Sequence, residues 1–207
     1  MTFVDGRARV AVCATLTLLL CSLIGCASSP AIRPAPRGLA FNASEPREAL
    51  INGSFEQPRL AHGNWAVFEE LPGWVTSFGP GIEIQNNDDL DRPAFDGRQY
   101  VELDSHAASG MRQDVTTARG AVYALQFAYA PRPGTSIEDN TIEVLWDGRV
   151  IDLLHGTGEG QTRNQWTQRS YRVQSIGERS QLEFRYVGVS NSLGGYLDAI
   201  TLTALPS

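Results

Sequence analysis

Apolar and polar residues alternate along many short stretches of the chain beyond residue 48, and this alternation predicts β-strands. Gly, Pro, Asn and Asp separate these stretches. No stretch shows a sustained helical period. Numerous short strands with regular turn signals favour an all-β sandwich or barrel. The predicted strands cover 81–85, 99–105, 121–130, 140–148, 150–156, 166–174, 181–189 and 196–204.

Strand parity assigns a face to each residue of two of these stretches, because alternate side chains in a strand share a face. The apolar residues Ile82, Ile84, Val101 and Leu103 are expected to face the core. The opposite face then carries four side chains with polar atoms: Glu83, Gln85, Tyr100 and Glu102.

The last predicted strand, "GGYLDAITL" at 194–202, contains an acidic residue in an apolar context. Asp198 has the same parity as Ile200 and Leu202, which predicts that it faces the core. A buried carboxylate is costly unless something pairs with it. It either caps backbone N–H groups, pairs with an Arg, or binds a metal ion.

The N-terminus has the organisation of an export signal. Arg7 and Arg9 precede an uncharged apolar run over 10–25, which is shorter than the roughly 20 residues of a membrane-spanning helix. The run ends in "LIGC" at 23–26, which resembles the bacterial lipobox and implies cleavage before a lipidated Cys26. An ordinary signal peptide with a chance Cys is the alternative. Ala27 and Ser28 lack the Asp associated with inner-membrane retention, which favours the outer membrane.

Composition adds three constraints. All three Cys residues lie within the first 26 residues, so a mature domain has no disulfide. The net charge of −6 argues against nucleic acid as a partner. The stretch 26–48 is rich in Pro, Ser and Ala and is predicted to be a flexible tether. We therefore expect a signal peptide over 1–25, a lipidated Cys and tether over 26–48, and a single domain over 49–205.

Two motifs near the ends of this domain resemble those of known proteins. "INGSFE" (51–56) and "YLDAITL" (196–202) resemble the motifs that open and close carbohydrate-binding modules with a galactose-binding-like jelly roll. The pieces between them resemble a family of exported bacterial surface proteins related to plant cell-wall domains of unknown function. The resemblance implies a jelly-roll β-sandwich. The stretches that resemble this family of surface proteins are "LPGW", "GIEIQ", "DGRQYVELDS", "YAPRPG" and "WDG".

The same resemblance implies a structural Ca²⁺ held by Glu56 and Asp198. Ca²⁺ takes six to eight oxygen ligands at about 2.3–2.6 Å, and carboxylates suit it. Ala199 departs from the pattern, since relatives often carry a second Asp there.

A carbohydrate site requires aromatic rings beside planar polar groups, because sugar faces stack on rings while hydroxyls bond to carboxylates, amides and guanidinium groups. Trp74 and Trp146 have apolar surroundings and are expected in the core. The candidate ligand-binding residues are Trp65, Glu83, Gln85, Tyr100, Glu102 and Arg132.

Catalytic patterns are weak in this sequence. Glu102 and Asp104 share a strand face, and their spacing resembles that of a glycosidase pair, but carboxylates at i, i+2 are common on exposed sheets. Neither a nucleophile elbow nor a zinc-protease motif occurs. The sequence favours a non-enzymatic carbohydrate-binding protein of the envelope. A module that binds an envelope protein partner is the alternative, and a glycan hydrolase is the third.

Overall fold

The computed structural model describes residues 49–86 and 92–206, and these residues form strands joined by turns and loops. The only helical element in these two ranges is a single 3₁₀ turn at Glu138–Asn140. No helix within the described part of the chain is long and apolar enough to cross a bilayer. The strands are β1 (Trp65–Phe68), β2 (Glu70–Leu71), β3 (Trp74–Phe78), β4 (Ile82–Asn86), β5 (Gln99–Glu102), β6 (Gly110–Thr116), β7 (Val122–Ala130), β8 (Ile142–Trp146), β9 (Arg149–Leu154), β10 (Thr167–Gln174), β11 (Arg179–Tyr186) and β12 (Tyr196–Ala204).

The strands form two six-stranded antiparallel sheets. Sheet A has the order β1-β4-β5-β12-β7-β10, and sheet B has the order β2-β3-β6-β11-β8-β9. From β5 onwards the chain passes between the sheets at every connection except the β8–β9 hairpin. The predicted jelly-roll β-sandwich is therefore confirmed.

The core lies between the sheets and is built by strand alternation. Ile82 and Ile84 of β4, Val101 of β5 and Leu103, directly after β5, belong to it, as parity predicted. Trp74 and Trp146 also belong to it, as expected from their apolar surroundings. The face of sheet A that points away from this core is called the outer face below.

Four strands were not predicted from the sequence: β1, β2, β3 and β6. The first three lie in "WAVFEELPGWVTSF", where short strands follow one another with tight turns and leave little alternation to detect. Strand β6 alternates, but one of its inward positions is polar. Gln113 faces inward between Met111 and Val115, and its side chain bonds to both the N–H and the C=O of Ile51.

The segment that opens the domain runs beside the last strand. The N–H of Ala49 donates to the C=O of Leu202, and the N–H of Ile200 donates to the C=O of Gly53. A Cβ on residue 53 would lie 1.8 Å from the Ile200 oxygen, so only glycine fits at this crossing. The two terminal motifs are thus packed together.

The predicted orientation of Asp198 is wrong. Its register with β7 shifts between Asp198 and Thr201, and Ala199 adopts φ +50° there. This β-bulge inserts an extra residue and reverses the alternation. Leu197, Ile200 and Leu202 face the core, whereas Asp198 is buried on the outer face of sheet A.

Candidate functional site

Strand pairing brings polar and aromatic side chains together on the outer face of sheet A. Glu83 lies opposite Glu102, and Glu102 lies opposite Tyr196. In the neighbouring row, Trp65 lies opposite Gln85, and Gln85 lies opposite Tyr100. Side chains directly opposite each other in antiparallel strands share a face and are in reach of one another.

A hydrogen-bonded group of four side chains, which we call the polar network, occupies this face: Glu83, Gln85, Glu102 and Arg132. The side-chain nitrogen of Gln85 donates to Glu83 Oε1 at 2.8 Å and to Glu102 Oε2 at 2.6 Å. The hydroxyl of Tyr100 donates to Gln85 Oε1 at 3.0 Å. The amide therefore bridges two carboxylates, and both carboxylates are nearly inaccessible to solvent, at 6% and 1% exposure.

Two loops complete the surroundings of Glu102. Arg132, from the β7–β8 loop, donates to Glu102 Oε2, and the N–H of Gly194, from the β11–β12 loop, donates to Oε1 at 2.7 Å. Burial raises the pKa of Glu102 to about 8, while the positive charge of Arg132 opposes this shift and the nearby Glu83 adds to it. Glu102 is a buried acid at the centre of the site.

Beside the polar network, three aromatic rings form a group that we call the aromatic cluster. The Tyr100 and Tyr196 rings are 4.7 Å apart, and the Trp166 ring contacts both. The Arg132 guanidinium lies 5.8 Å from the centre of the Tyr196 ring. The Tyr196 hydroxyl is buried and has no hydrogen-bond partner among the described residues. A buried polar group without a partner is uncommon and calls for an explanation.

Trp65 is the aromatic residue of this face that solvent reaches most. Its side chain is 56% exposed, on the edge strand β1, beside Gln85 in the register. The His106 ring approaches it edge-on, with ring centroids 6.0 Å apart. An exposed indole next to planar polar groups has the arrangement on which sugar rings stack.

The segment from Pro93 to Gln99, called the cover segment below, packs against this face. The Trp166 indole N–H donates to the C=O of Pro93 at 2.9 Å, and the Phe95 ring contacts Trp166 edge-on. Asp198 Oδ2 accepts the N–H groups of Phe95 and Asp96, at 2.8 and 2.9 Å. The cover segment thus closes the aromatic cluster and leaves the Trp65 end of the face accessible.

Glu56 and Asp198 both hold the cover segment through its backbone N–H groups. Glu56 Oε1 accepts the N–H groups of Arg98 and Gln99, at 2.7 and 2.9 Å. Asp198 Oδ1 accepts the N–H of Ala199, and burial raises the pKa of Asp198 to about 7, against the effect of its three backbone donors. Asp198 therefore caps backbone N–H groups, which is one of the alternatives that the sequence left open.

Calcium requires more oxygen ligands than these two side chains supply. Within the described ranges, no group of three or more His, Cys, Asp or Glu residues lies close enough to share an ion. Glu56 and Asp198 are nonetheless carboxylates at one turn, the donor type that Ca²⁺ prefers. Calcium at these residues stays a prediction.

The carboxylate pair Glu102 and Asp104, considered above for hydrolysis, is occupied by loop backbone. Asp104 Oδ2 accepts the N–H groups of Asn191 and Ser192, at 2.8 and 2.9 Å, and Oδ1 accepts the Ser190 hydroxyl. Both acids therefore hold the β11–β12 loop in place. This gives them a structural task that the sequence pattern did not reveal.

The structure brings together all six residues predicted to bind ligand. Glu83, Gln85, Glu102 and Arg132 form the polar network, Tyr100 bonds to it, and Trp65 stands beside it. Their role in binding stays a prediction. Sequence reasoning missed Tyr196 and Trp166, whose position depends on loops and on the register of β12; the alternation of "YLD" before the bulge was the signal that could have placed Tyr196 there.

Comparisons with known proteins give similarity to carbohydrate-binding modules, and no protein-family profile matches the chain. A family 35 module from Paenibacillus barcinonensis is 18% identical with a TM-score of 0.41, covering 69% of this chain and all of that one. TmCBM61, solved with β-1,4-galactotriose, is 16% identical with a TM-score of 0.44, covering 77% and 99%. A family 35 module from Clostridium thermocellum is 11% identical with a TM-score of 0.42, covering 77% and 98%.

One curated protein matches a short part of the sequence. Mitochondrial distribution and morphology protein 10 from Scheffersomyces stipitis is 41% identical over 59 residues, which is 28% of this chain. The chain spans only 13% of the length of that protein.

Proposed function

We propose that this chain is an exported, lipid-anchored protein of the bacterial envelope whose β-sandwich binds carbohydrate without catalysing its cleavage. The ligand would lie on the outer face of sheet A, between Trp65 and the polar network. The envelope or extracellular polysaccharide of the cell is the partner that this location favours. Cys26 would carry the lipid and the tether would separate the domain from the membrane.

The observation that carries the binding proposal is the position of Trp65. A 56% exposed indole is paired in register with Gln85, whose amide bridges Glu83 and Glu102. A ligand that stacks on this indole removes its apolar surface from water, which is favourable. Stacking on Trp65 would bring the hydroxyls of a sugar to the edge of the polar network, where carboxylate and guanidinium groups recognise them.

The test is native affinity electrophoresis of the full chain through gels that contain one polysaccharide each: galactan, glucomannan, dextran, alginate or polygalacturonate. At least one gel should retard the protein, and Trp65→Ala should weaken that binding about tenfold, the effect of losing one well-buried contact. The matched control is Phe78→Ala, which removes an exposed aromatic side chain from sheet B and should bind as the parent does. If no gel retards the protein, or if the two variants bind equally, the proposal is wrong.

A protein partner is the second candidate, and one group of loop residues favours it. Ile137, Val187 and Val189 are exposed aliphatic side chains on two loops that hydrogen-bond to each other. Val187 donates to the C=O of Thr141, and Val189 donates to the C=O of Glu138. Two results together would support this candidate instead. The protein would bind no polysaccharide, and a chemical cross-link to an envelope protein would be lost when Val187 and Val189 are both changed to Asp.

A further inference from the structure

The accessible part of the outer face of sheet A is small. Exposure decreases across the strands: Trp65 on β1 is 56% exposed, Gln85 on β4 is partly buried, and Glu102 on β5 is 1% exposed. Neighbouring strands lie about 4.8 Å apart, so the face passes from open to covered within about 10 Å. This width suits one sugar ring on the indole and leaves no room for a long stretch of chain across the sheet.

The aromatic cluster and the cover segment close the face in the direction across the strands. Tyr100 on β5 and Tyr196 on β12 are fully buried, and the Trp166 ring contacts both. The Trp166 indole is in turn bonded to the C=O of Pro93 in the cover segment. A glycan chain that runs from Trp65 across β4 therefore meets a wall at β5.

Three loops close the face in the direction along the strands. Glu102, Ala130 and Tyr196 lie opposite one another in the register, where β5 and β7 end and β12 begins. The β5–β6, β7–β8 and β11–β12 loops therefore meet at one end of sheet A. Two of them cover Glu102, through the side chain of Arg132 and the N–H of Gly194.

The third of these loops, β5–β6, bounds the exposed indole itself. It carries His106, whose ring lies at 67° to the Trp65 ring with the ring centroids 6.0 Å apart. A glycan chain that runs along the strands over Trp65 therefore meets His106 and the loops beside it. The opposite direction across the sheet is open, because β1 is the edge strand.

The polar network also favours a chain end. A residue inside a glycan chain has two glycosidic links, and a glycosidic oxygen only accepts hydrogen bonds. A terminal residue has a free hydroxyl in place of one link, and a hydroxyl both donates and accepts. The network offers both kinds of partner, an acceptor in the carboxylate of Glu83 and donors in Arg132, whose side chain is 20% exposed.

Building on the proposed function, we propose that the site binds the terminal residue of a glycan chain. The ring of this residue stacks on Trp65, its free hydroxyls point towards the polar network, and the rest of the chain leaves over the edge strand β1. An internal residue is linked at both ends, and a straight chain through the site, along or across the strands, meets one of the two walls.

The first test compares a disaccharide with a hexasaccharide of the same sugar by isothermal titration of the full chain. The probes are prepared from galactan, glucomannan, dextran, alginate and polygalacturonate. In a series that binds, the two lengths should have Kd values within about threefold, because the added residues lie outside the protein and gain no contact. A larger rise in affinity with length, lost in Trp65→Ala, would overturn this inference and leave the proposed function intact. Binding of none of the probes would overturn both.

The second test counts binding sites on the polysaccharide chosen by the affinity gels. Partial acid hydrolysis raises the number of chain ends without changing the mass of sugar. The amount of protein bound per gram should rise in proportion to the number of chains, which is measured from the reducing ends. A capacity that stays constant or falls would show that the protein binds along the chain and would overturn the inference.

Variants test the path of the chain. Trp65→Ala should weaken the disaccharide and the hexasaccharide by the same factor, about tenfold, since the indole contacts the terminal residue of each. Phe95 on the cover segment is 40% exposed, beyond the wall at β5, and Phe95→Ala should leave the ratio of the two affinities unchanged. A hexasaccharide that binds more weakly to Phe95→Ala, with the disaccharide unaffected, would show that the chain passes over the cover segment and would contradict the assignment.

Discussion

Glu83 and Glu102 accept hydrogen bonds from the same side-chain nitrogen of Gln85, at 2.8 and 2.6 Å, across the β4–β5 pair. Two acidic side chains that face each other across a sheet are destabilising wherever both are ionised, unless a donor lies between them. Gln85 supplies that donor and uses both of its N–H groups for it. The contact between the two acids therefore depends on one neutral residue, while Arg132 and the N–H of Gly194 donate to Glu102 separately.

Replacement of Gln85 should show this dependence. Gln85→Leu keeps much of the side-chain volume but removes the shared donor, and the free energy of unfolding should fall by about 1–3 kcal/mol. Gln181→Leu is the matched control. Its side chain donates to Asp114 near the surface of sheet B, and its loss should cost less than about 0.5 kcal/mol. Urea denaturation measures both, and equal effects would contradict the role given to Gln85.

The buried acid Glu102 should make stability depend on pH in a defined direction. Its pKa rises from 4.5 to about 8 on folding, so the folded state holds the proton more tightly than the unfolded chain does. The stability from this group is complete below 4.5 and is lost as the pH rises towards 8. Glu102→Gln cannot titrate, so the difference in unfolding free energy between wild type and variant should shrink from pH 5 to pH 8. A difference that is constant or grows over this range would show that Glu102 is ionised throughout.

The carboxylate of Asp198 should contribute more to the free energy of unfolding than an exposed carboxylate does. Asp198→Ala leaves the N–H groups of Phe95, Asp96 and Ala199 without their acceptor, and should lower the free energy of unfolding by about 2–3 kcal/mol. Asp114→Ala, at an exposed position of β6, should cost less than about 0.5 kcal/mol.

The same variant tests the calcium prediction. If Ca²⁺ binds only the folded chain, a hundredfold excess over its Kd adds about 2.7 kcal/mol, and EDTA should lower the melting temperature of the wild type but not of Asp198→Ala. If hydrogen bonds alone hold the cover segment, EDTA will change neither protein.

The sequence predicted which residues form the site better than it predicted how deeply they are buried. Alternation in β4 and β5 placed Glu83, Gln85, Tyr100 and Glu102 on one face, because parity in a strand is a local property. It did not predict that Tyr100 and Glu102 are fully covered. Tyr100 is covered by Trp166, which lies 66 positions away in the chain, and Glu102 is covered by the loops that carry Arg132 and Gly194.

Asp198 shows the limit of parity most clearly. The residues on each side of it alternate as expected, but the left-handed conformation of Ala199 reverses the face, and Ala is not a residue that signals such a conformation. The partner of Asp198 was nevertheless among the alternatives open from sequence, since backbone N–H groups are what a buried carboxylate without a cation requires.

The anchoring prediction concerns residues 1–48, which lie outside the described residues. We expect Cys26→Ser to abolish metabolic labelling with a fatty acid and to release the protein from the membrane fraction, because cleavage and acylation both require the Cys of "LIGC". Cys21→Ser, five residues earlier in the apolar run, is the matched control and should remain labelled. A wild-type chain that is soluble and unlabelled would contradict this part of the proposal.

Binding of ligand at the outer face of sheet A can be followed through the four tryptophan indole N–H resonances of the protein. Trp65 and Trp166 belong to this face, whereas Trp74 and Trp146 are buried in the core between the sheets. A ¹⁵N-correlation titration with the polysaccharide chosen by the affinity gels follows all four at once. We expect a saturable shift of the Trp65 indole resonance, a smaller shift of Trp166, and none at Trp74 and Trp146. A Trp65 resonance that stays in place while the ligand saturates the protein would contradict binding at this face.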